Sequence, residues 1–582
     1  MSDQGTTAIA GAAPDGSVDT VRIDAAIADL ERGELAWAAR SLAERAELMR
    51  DVRAAVAEAA EDWALTAARM KGIPGGSPLE GEEWLSGPYG LLTATALLAE
   101  SLDRLAAGRS PLDGERLGMA LGGRVTVRAL PRTREEELLL NGFSAEVWLQ
   151  PGIGEGQARA RAGLGQRHPD RTGGVGLVLG AGNITAIPAL DVLSELVHGN
   201  RVVLLKPNPV MSAMTPVFAR ALAPLIGVDA LRIVEGAADV GAYLTRHPRL
   251  AHVHITGSAA SHDAIVFGTG EEGRTRKAAH DPKLRIPISS ELGGVSPIVV
   301  VPGRWSAADL RYQAEHVATM RLHNAGANCI AGQLVLISHD WPQRERFLTE
   351  LRRAIDRAPA RPDWYPGAAD RAQAAVGAHP RALRCGPDGT RVLLELGEAG
   401  VGAPVETTEY FAPVLGVVDL PGDAATFLEN AVEHVTRAVA GTLGINVIVD
   451  PATERRLGRA FDEAIARLRY GTIAINAWTG VAFQTAAAPW GAYPGNRLAD
   501  VGSGIGTVHN ALLIDGVEKT VLRGPFRPFP RSVAGGEAAL FPTPPWFVSA
   551  RSAAVTGRRL VEYWIAPSAR RMAAVFAAAF RA

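Results

Sequence analysis

The chain has 582 residues, 47% hydrophobic and 21% charged, enough to bury more than one domain-sized core and too apolar for a disordered polymer. Lys+Arg 60 against Asp+Glu 62 leaves a formal net charge of -2, so no overall field recruits nucleic acid or an acidic surface, and small-molecule chemistry is the better expectation. Two cysteines, Cys329 and Cys385, make no disulfide framework, so a reducing, cytoplasmic setting is expected; no segment approaches the roughly 18–20 uninterrupted apolar residues of a membrane span.

Residues 1–18, rich in Gly, Ala, Thr and Asp, read as a flexible tail without secretory character. Ile23–Leu30, Leu42–Ala60 and Leu91–Leu105 space their apolar residues near 3.6 and predict covering helices. Between Arg124 and Trp148 the alternating stretches Val-Thr-Val-Arg-Ala-Leu and Ser-Ala-Glu-Val-Trp-Leu predict a long hairpin or β-flap. Val175–Leu179, the helical Ile187–Val197 and Arg201–Leu205 form a βαβ unit, which implies a parallel sheet. Short β-branched runs follow at Leu231–Val234, Ala251–Ile255 and Ile298–Val301, and again at Leu334–Ile337, Val414–Val418, Ile445–Val449 and Thr472–Ile475. The expected fold class is therefore α/β, with two parallel-sheet lobes and a small β-flap.

After about Gly506, prolines at 525, 528, 530, 542, 544 and 545 break regular structure and mark a C-terminal extension. Its last residues place Met572, Val575, Phe576, Ala579 and Phe580 on one helical face. Docking of that face on the protein's own body or a sister subunit is favoured over contact with a membrane surface.

Four segments carry candidate chemistry. Gly180-Ala181-Gly182-Asn183-Ile184-Thr185 follows a strand, but Thr185 and the later Lys206-Pro207 depart from a dinucleotide fingerprint, and Asn183 is placed to aim an amide N–H at developing negative charge. Thr256-Gly257-Ser258 opens a helix that could receive a pyrophosphate. Glu291-Leu292-Gly293-Gly294-Val295-Ser296-Pro297 offers a carboxylate for general-base work. Asn324-Ala325-Gly326-Ala327-Asn328-Cys329-Ile330-Ala331-Gly332 sets a thiol among small residues where a carbonyl could approach. Alone, each is as well explained by an ordinary turn, a helix cap, a solvated acid or a core thiol.

Taken in order, with Glu409-Tyr410-Phe411-Ala412-Pro413-Val414 and Pro489-Trp490-Gly491 following, the segments resemble the aldehyde dehydrogenase superfamily over roughly Trp37 to Val508. The resemblance implies a Rossmann-like NAD(P)-binding domain at 19–122 and 173–287, a flap for oligomerisation at 123–172, a catalytic domain at 288–506 and an extension at 507–582. It implies Cys329 as nucleophile, Asn183 as oxyanion donor and Glu291 as general base. Lys206 would lie near the adenosine ribose, Gly257 and Ser258 at the pyrophosphate and Glu409 at the nicotinamide ribose. The implied reaction is oxidation of a small-molecule aldehyde to a carboxylate with NAD or NADP through a Cys329 thioester, in a homo-oligomer.

A CoA-acylating dehydrogenase or acyl-CoA reductase is the alternative, against which Glu291 weighs, since a thiol acceptor needs less activation than water. A catalytically silent binding or assembly protein on the same fold is the second. Asn208 and Pro209 stand where NAD-preferring relatives place an acid, which leaves NADP open. His252 and His254 share a strand face without a third metal ligand, and packing accounts for them better. His323 reads as an ordinary helix-face residue and Cys385 as a turn residue without a role.

Overall fold

The computed structural model describes residues 8–13, 16–171 and 173–581. Two sheets organise it. The first runs Ile9–Ala10, Leu231–Glu235, Val202–Lys206, Val175–Leu179, Leu250–Gly257, Ile288–Leu292, Gly504–Ile505, parallel throughout except for the last strand. Its buried strands read as nearly unbroken apolar runs because helices cover both faces. Strand order reverses between Val175–Leu179 and Leu250–Gly257, so a crevice opens beyond their carboxyl ends.

The second sheet runs Leu383–Cys385, Arg391–Gly397, Val414–Leu420, Leu334–Ser338, Pro297–Val300, Gly444–Ile448, Thr472–Ile475, Val517–Arg523, Ser144–Leu149, Arg124–Leu130, Leu117–Ala120. From Arg391–Gly397 to Val517–Arg523 the pairs are parallel, and the remaining pairs are antiparallel. The fold is thus α/β with two mixed, mostly parallel sheets, as the sequence predicts.

Three features differ from the expectation. Ile9 and Ala10 pair with Val234 and Glu235, so the stretch read as a flexible tail supplies an edge strand; its residues 1–7, 14 and 15 lie outside the described residues. The flap is continuous with the second sheet, because Ser144–Leu149 pairs with Val517–Arg523. That last strand falls inside the segment read as an irregular extension. Its Glu518 and Lys519 are buried and satisfied: Lys519 Nζ donates to the carbonyls of Ala466 and Leu468 at 2.8 Å each, and Tyr493 Oη donates to Glu518 at 2.8 Å. Buried charge is tolerated when every polar atom finds such partners.

The expected helices extend to Thr20–Ala39, Leu42–Met70 and Gly90–Ala106. Leu42–Met70 starts on a reciprocal cap between Ser41 and Glu44, which satisfies two of the otherwise orphaned N–H groups. One turn on, the buried Arg45 guanidinium donates to Gln166, Asn200 and the carbonyls of Trp37 and Pro169, tying these helices to the edge of the first lobe.

The C-terminal helices Ala553–Ile565 and Ala569–Ala579 dock on the body. Val575 packs with Leu139 and Tyr563, Phe576 lies 5.2 Å from Phe541 and Phe580 lies 5.9 Å from Phe529, ring centre to ring centre. The apolar face is therefore used within the chain. Among the described residues no helix is long and apolar enough to cross a membrane.

Candidate active site

Cys329 sits between the helix Ala307–Leu322 and the strand Leu334–Ser338, where the backbone turns through three consecutive left-handed residues, Asn324 (φ 54), Ala325 (φ 56) and Gly326 (φ 74). Two of these are not glycine, so the turn is held against its own preference. The restraints are visible. Asn324 Nδ2 donates to the carbonyls of Asn183 (3.1 Å) and Ala327 (2.9 Å), and its N–H donates to Glu82 at 2.9 Å. The buried Arg321 guanidinium donates to the carbonyls of Gly326 and Ala331.

Asn183, in the turn after Val175–Leu179, donates from Nδ2 to the Ala327 carbonyl at 3.0 Å. Each Asn amide carries two N–H groups, so this bond fixes the side chain beside the cysteine turn and leaves a second donor. Asn324 is a positioning residue that the sequence motif contained but did not reveal as such.

Glu291 belongs to the strand Ile288–Leu292, where a loop acid was the plainer expectation, and it is buried. The Cys329 thiol donates to its Oε1 at 3.5 Å, and Trp490 Nε1 donates to the same oxygen at 2.8 Å; Oε2 is buried without a partner. Burial lifts the Glu291 carboxyl above the usual range, while His509, Trp490 and His254 work against the lift. Burial, then the carboxylates of Glu291 and Glu409, push the Cys329 thiol well above its ordinary value. The resting pair is thus a thiol and a reluctant carboxylate sharing one site. Trp490 is a functional contact missed in the sequence, where only the Pro-Trp-Gly triplet marked its place.

Beneath Glu291 lies a buried polar cluster. Asp191 accepts from Thr256 Oγ1 (2.8 Å) and His509 Nε2 (3.0 Å), with His254 Nε2 at 3.5 Å. Burial alone would raise Asp191, but the two imidazoles hold it well below the usual carboxylate range. His252 pairs with Glu195 at 3.1 Å. His252 and His254 are therefore engaged in structural bonds, and no metal-holding group of His, Cys, Asp or Glu occurs among the described residues. His323 is buried against Trp478, and burial brings its pKa down to about 4. Cys385 ends the strand Leu383–Cys385 in the core, ahead of the turn in which it was expected.

A cleft of about 1020 Å³ occupies the switch point of the first sheet, lined by Leu179, Gly180, Lys206, Ile255 and Gly257 among others. Lys206 ends its strand at the cleft, its pKa lowered by burial with Asp239 opposing. Ser258 does not line the cleft; its Oγ caps the helix Ala259–Val266 by accepting from the Ser261 N–H at 3.1 Å. It shapes the helix start, and Ser261 is the residue that faces the cleft. Glu409 also lies outside the cleft lining, pressed against Gly293, where a Cβ would collide with its carboxylate. Its Oε1 is buried without a partner, and burial raises its pKa to about 8 despite Arg321 and Arg371 nearby.

A second, separate cavity of about 120 Å³ has Cys329 in its lining. The parallel-sheet crevice and the Gly257 backbone fit a dinucleotide, and the second cavity fits the body of an organic substrate.

Comparison with known proteins agrees with this arrangement. Residues 171–369 match the model of the Aldehyde dehydrogenase family. The chain is similar to the coniferyl aldehyde dehydrogenase of Pseudomonas sp. (strain HR199 / DSM 7063), 28% identical over 182 residues, 31% of this chain and 34% of that protein. In three dimensions it is similar to the NAD-dependent aldehyde dehydrogenase from Sinorhizobium meliloti, with TM-score 0.56 and 20% identity over 90% of this chain and 92% of that one. It is similar too to PnpE in complex with nicotinamide adenine dinucleotide, with TM-score 0.56 and 17% identity over 89% and 93%. The chain spans about a third to a half of the length of the first curated relatives it matches. The fold is that of the aldehyde dehydrogenases. The family match covers residues 171–369, and the likeness in fold extends over about nine-tenths of the chain.

Proposed function

We propose that the protein is an NAD(P)-dependent aldehyde dehydrogenase that oxidises an aldehyde to a carboxylate through a thioester on Cys329. The observation that carries this reading is the shared oxygen of Glu291, within reach of the Cys329 thiol and fixed by Trp490.

Cys329 Sγ, once its proton has left for solvent, attacks the aldehyde carbon. The second N–H of Asn183 and the Cys329 backbone N–H stabilise the oxygen that becomes negative, each donor worth up to about 3–4 kcal/mol. Lys206, the Gly257 turn and Glu409 would hold NAD or NADP, which when bound supplies the hydride acceptor. The thioester left on Cys329 is opened by water, and Glu291 takes the water's proton. A buried base whose pKa is raised suits this step, because hydrolysis needs activation that a thiol acceptor would not.

The flap's outer strand Leu117–Ala120 ends the second sheet, and we read it as the edge through which copies associate, which light scattering measures. The test of function is reduction of NAD or NADP by the full chain in a CoA-free assay. Cys329→Ala should abolish it while leaving cofactor binding; near-normal turnover in that variant, or strict dependence on CoA, would sink the reading.

A further inference from the structure

The cavity that reaches Cys329 is walled from three directions. The nucleophile turn gives Asn328, Cys329 and Ile330; the first lobe and flap give Tyr89, Leu140, Phe143 and Ile187; and the C-terminal segment gives Pro525, Phe541, Trp546, Leu560 and Val575. The third wall is a fixed part of the molecule. Trp546 meets Phe143 edge-on at 5.6 Å, Phe541 lies 5.2 Å from Phe576, and Val575 is buried with Leu139 and Tyr563. The extension therefore closes the substrate cavity over the catalytic loop.

The chemistry of the lining is one-sided. No Asp, Glu, Lys or Arg side chain contributes to it. Its imidazole, His323, is neutral at physiological pH because burial keeps its pKa near 4, and burial holds the Tyr312 phenol in its neutral form. A substrate bearing a carboxylate or an ammonium would lose its hydration and find no counter-charge, which is heavily unfavourable. An apolar body gains with every methylene removed from water. Aromatic faces can attract a cation, but here the rings are spent on one another: Phe483 meets Trp490 edge-on at 5.2 Å and His323 leans on Trp478 at 4.7 Å.

We propose that the substrates are uncharged aldehydes with a large apolar body, and that the C-terminal segment from Pro525 to Ala579 is the specificity element that selects them. This rests on the dehydrogenase reading above, and the experiment separates the two. With the full chain and saturating cofactor, kcat/KM is compared for propanal, decanal, 4-oxobutanoate and trimethylammonioacetaldehyde. In parallel, binding of the unreactive decanamide is followed by the fluorescence of Trp478, Trp490 and Trp546. Decanal should exceed propanal by at least about thirtyfold, given the roughly fourfold gain expected per buried methylene at full efficiency, and both charged aldehydes should fall below propanal. Leu560→Arg, in the C-terminal wall, should cut decanal at least tenfold, raise 4-oxobutanoate and weaken decanamide. Faster turnover of either charged aldehyde than of decanal, or failure of decanamide to bind the parent, would overturn the proposal. If decanamide binds and no aldehyde reduces the cofactor, the dehydrogenase reading falls while the apolar cavity stands.

Discussion

Trp490 Nε1 and the Cys329 thiol donate to the same oxygen of Glu291, at 2.8 Å and 3.5 Å. The indole bond is the shorter and comes from a buried ring, so it holds the carboxylate in place whether or not the thiol proton is present. The second carboxylate oxygen stays buried and unpartnered, free for a water molecule. Trp490→Phe keeps the ring contact with Phe483 and removes the donor. A hydrogen bond to the charged form favours that form, so its loss should raise the Glu291 pKa further. The acidic limb of the kcat profile should move to higher pH, and kcat should fall about tenfold at neutral pH. An unmoved limb would mean that the indole only fills space.

Glu291→Gln separates the two jobs of the carboxylate. The negative charge of Glu291 is one of the causes that raise the Cys329 thiol, so the amide should increase the thiolate fraction at a given pH. Alkylation of Cys329 by iodoacetamide should become faster in the variant. Turnover should nevertheless drop by about 10²–10⁴, because the base for the water is gone. In the parent, both Cys329 and Glu291 must lose protons from raised pKa values, so alkylation and turnover should each rise as the pH is raised, alkylation continuing to rise beyond the ordinary thiol range. Alkylation that slows in the Gln variant would show that Glu291 chiefly deprotonates the thiol.

Much of this was legible beforehand, and the failures have identifiable causes. The strands Val175–Leu179, Leu334–Ser338 and Thr472–Ile475 announce themselves as short apolar runs because both faces of a parallel sheet are covered. Val517–Arg523 does not, because Glu518 and Lys519 are charged residues buried by partners drawn from Tyr493, Ala466 and Leu468, none of them near in sequence. Ile288–Leu292 reads as a loop for a similar reason: two serines and a glutamate occupy a short strand whose bonds are supplied from afar. Cys329, Glu291 and Asn183 stood out in ordered motifs, and the fold brings the thiol to Glu291 and Asn183 to the turn before it. Trp490 and His509 were not tied to Glu291 or Asp191, because those contacts span 199 and 318 residues of chain and depend on how the two sheets meet. The reach of the extension to the catalytic loop was invisible for the same reason.

Gly326 closes the left-handed run before Cys329. At its φ of 74 a side chain is strained, and a Cβ would crowd the Arg321 guanidinium and the Ala412 carbonyl. Gly326→Ala should therefore destabilise the fold by about 1–3 kcal/mol and misplace the thiol, with kcat falling more than the cofactor KM changes. Gly377→Ala is the control, since nothing lies within 4 Å of a Cβ there and the residue is inside the helix Ala368–Ala378. It should add about 0.5–1 kcal/mol. Equal midpoints for the two variants in chemical denaturation would contradict the assigned role of the turn.

The balance of charge around the cleft of the first sheet bears on the choice of cofactor. Lys206, Arg246, Lys283 and Arg285 line it against the single acid Glu272, and Asn208 occupies the position beside Pro209. Lys283 and Arg285 lie only within 4.0 and 3.8 Å of Glu272 and Asp281, at the loose end of ion pairing and exposed enough to turn towards a ligand. An extra phosphate would meet more cations than carboxylates there, so NADP should serve at least as well as NAD in kcat/KM. The advantage should shrink as salt is raised, because exposed charges are screened. Asn208 Oδ1 accepts from the Val210 N–H at 3.1 Å, a bond that an aspartate can make equally well. Asn208→Asp therefore preserves the cap while adding one negative charge beside Lys206. Its ratio of NADP to NAD efficiency should fall by about ten- to a hundredfold, mostly through the KM for NADP. A parent that already prefers NAD by that margin, or a variant whose ratio does not move, would show that these cations do not read the 2′-phosphate.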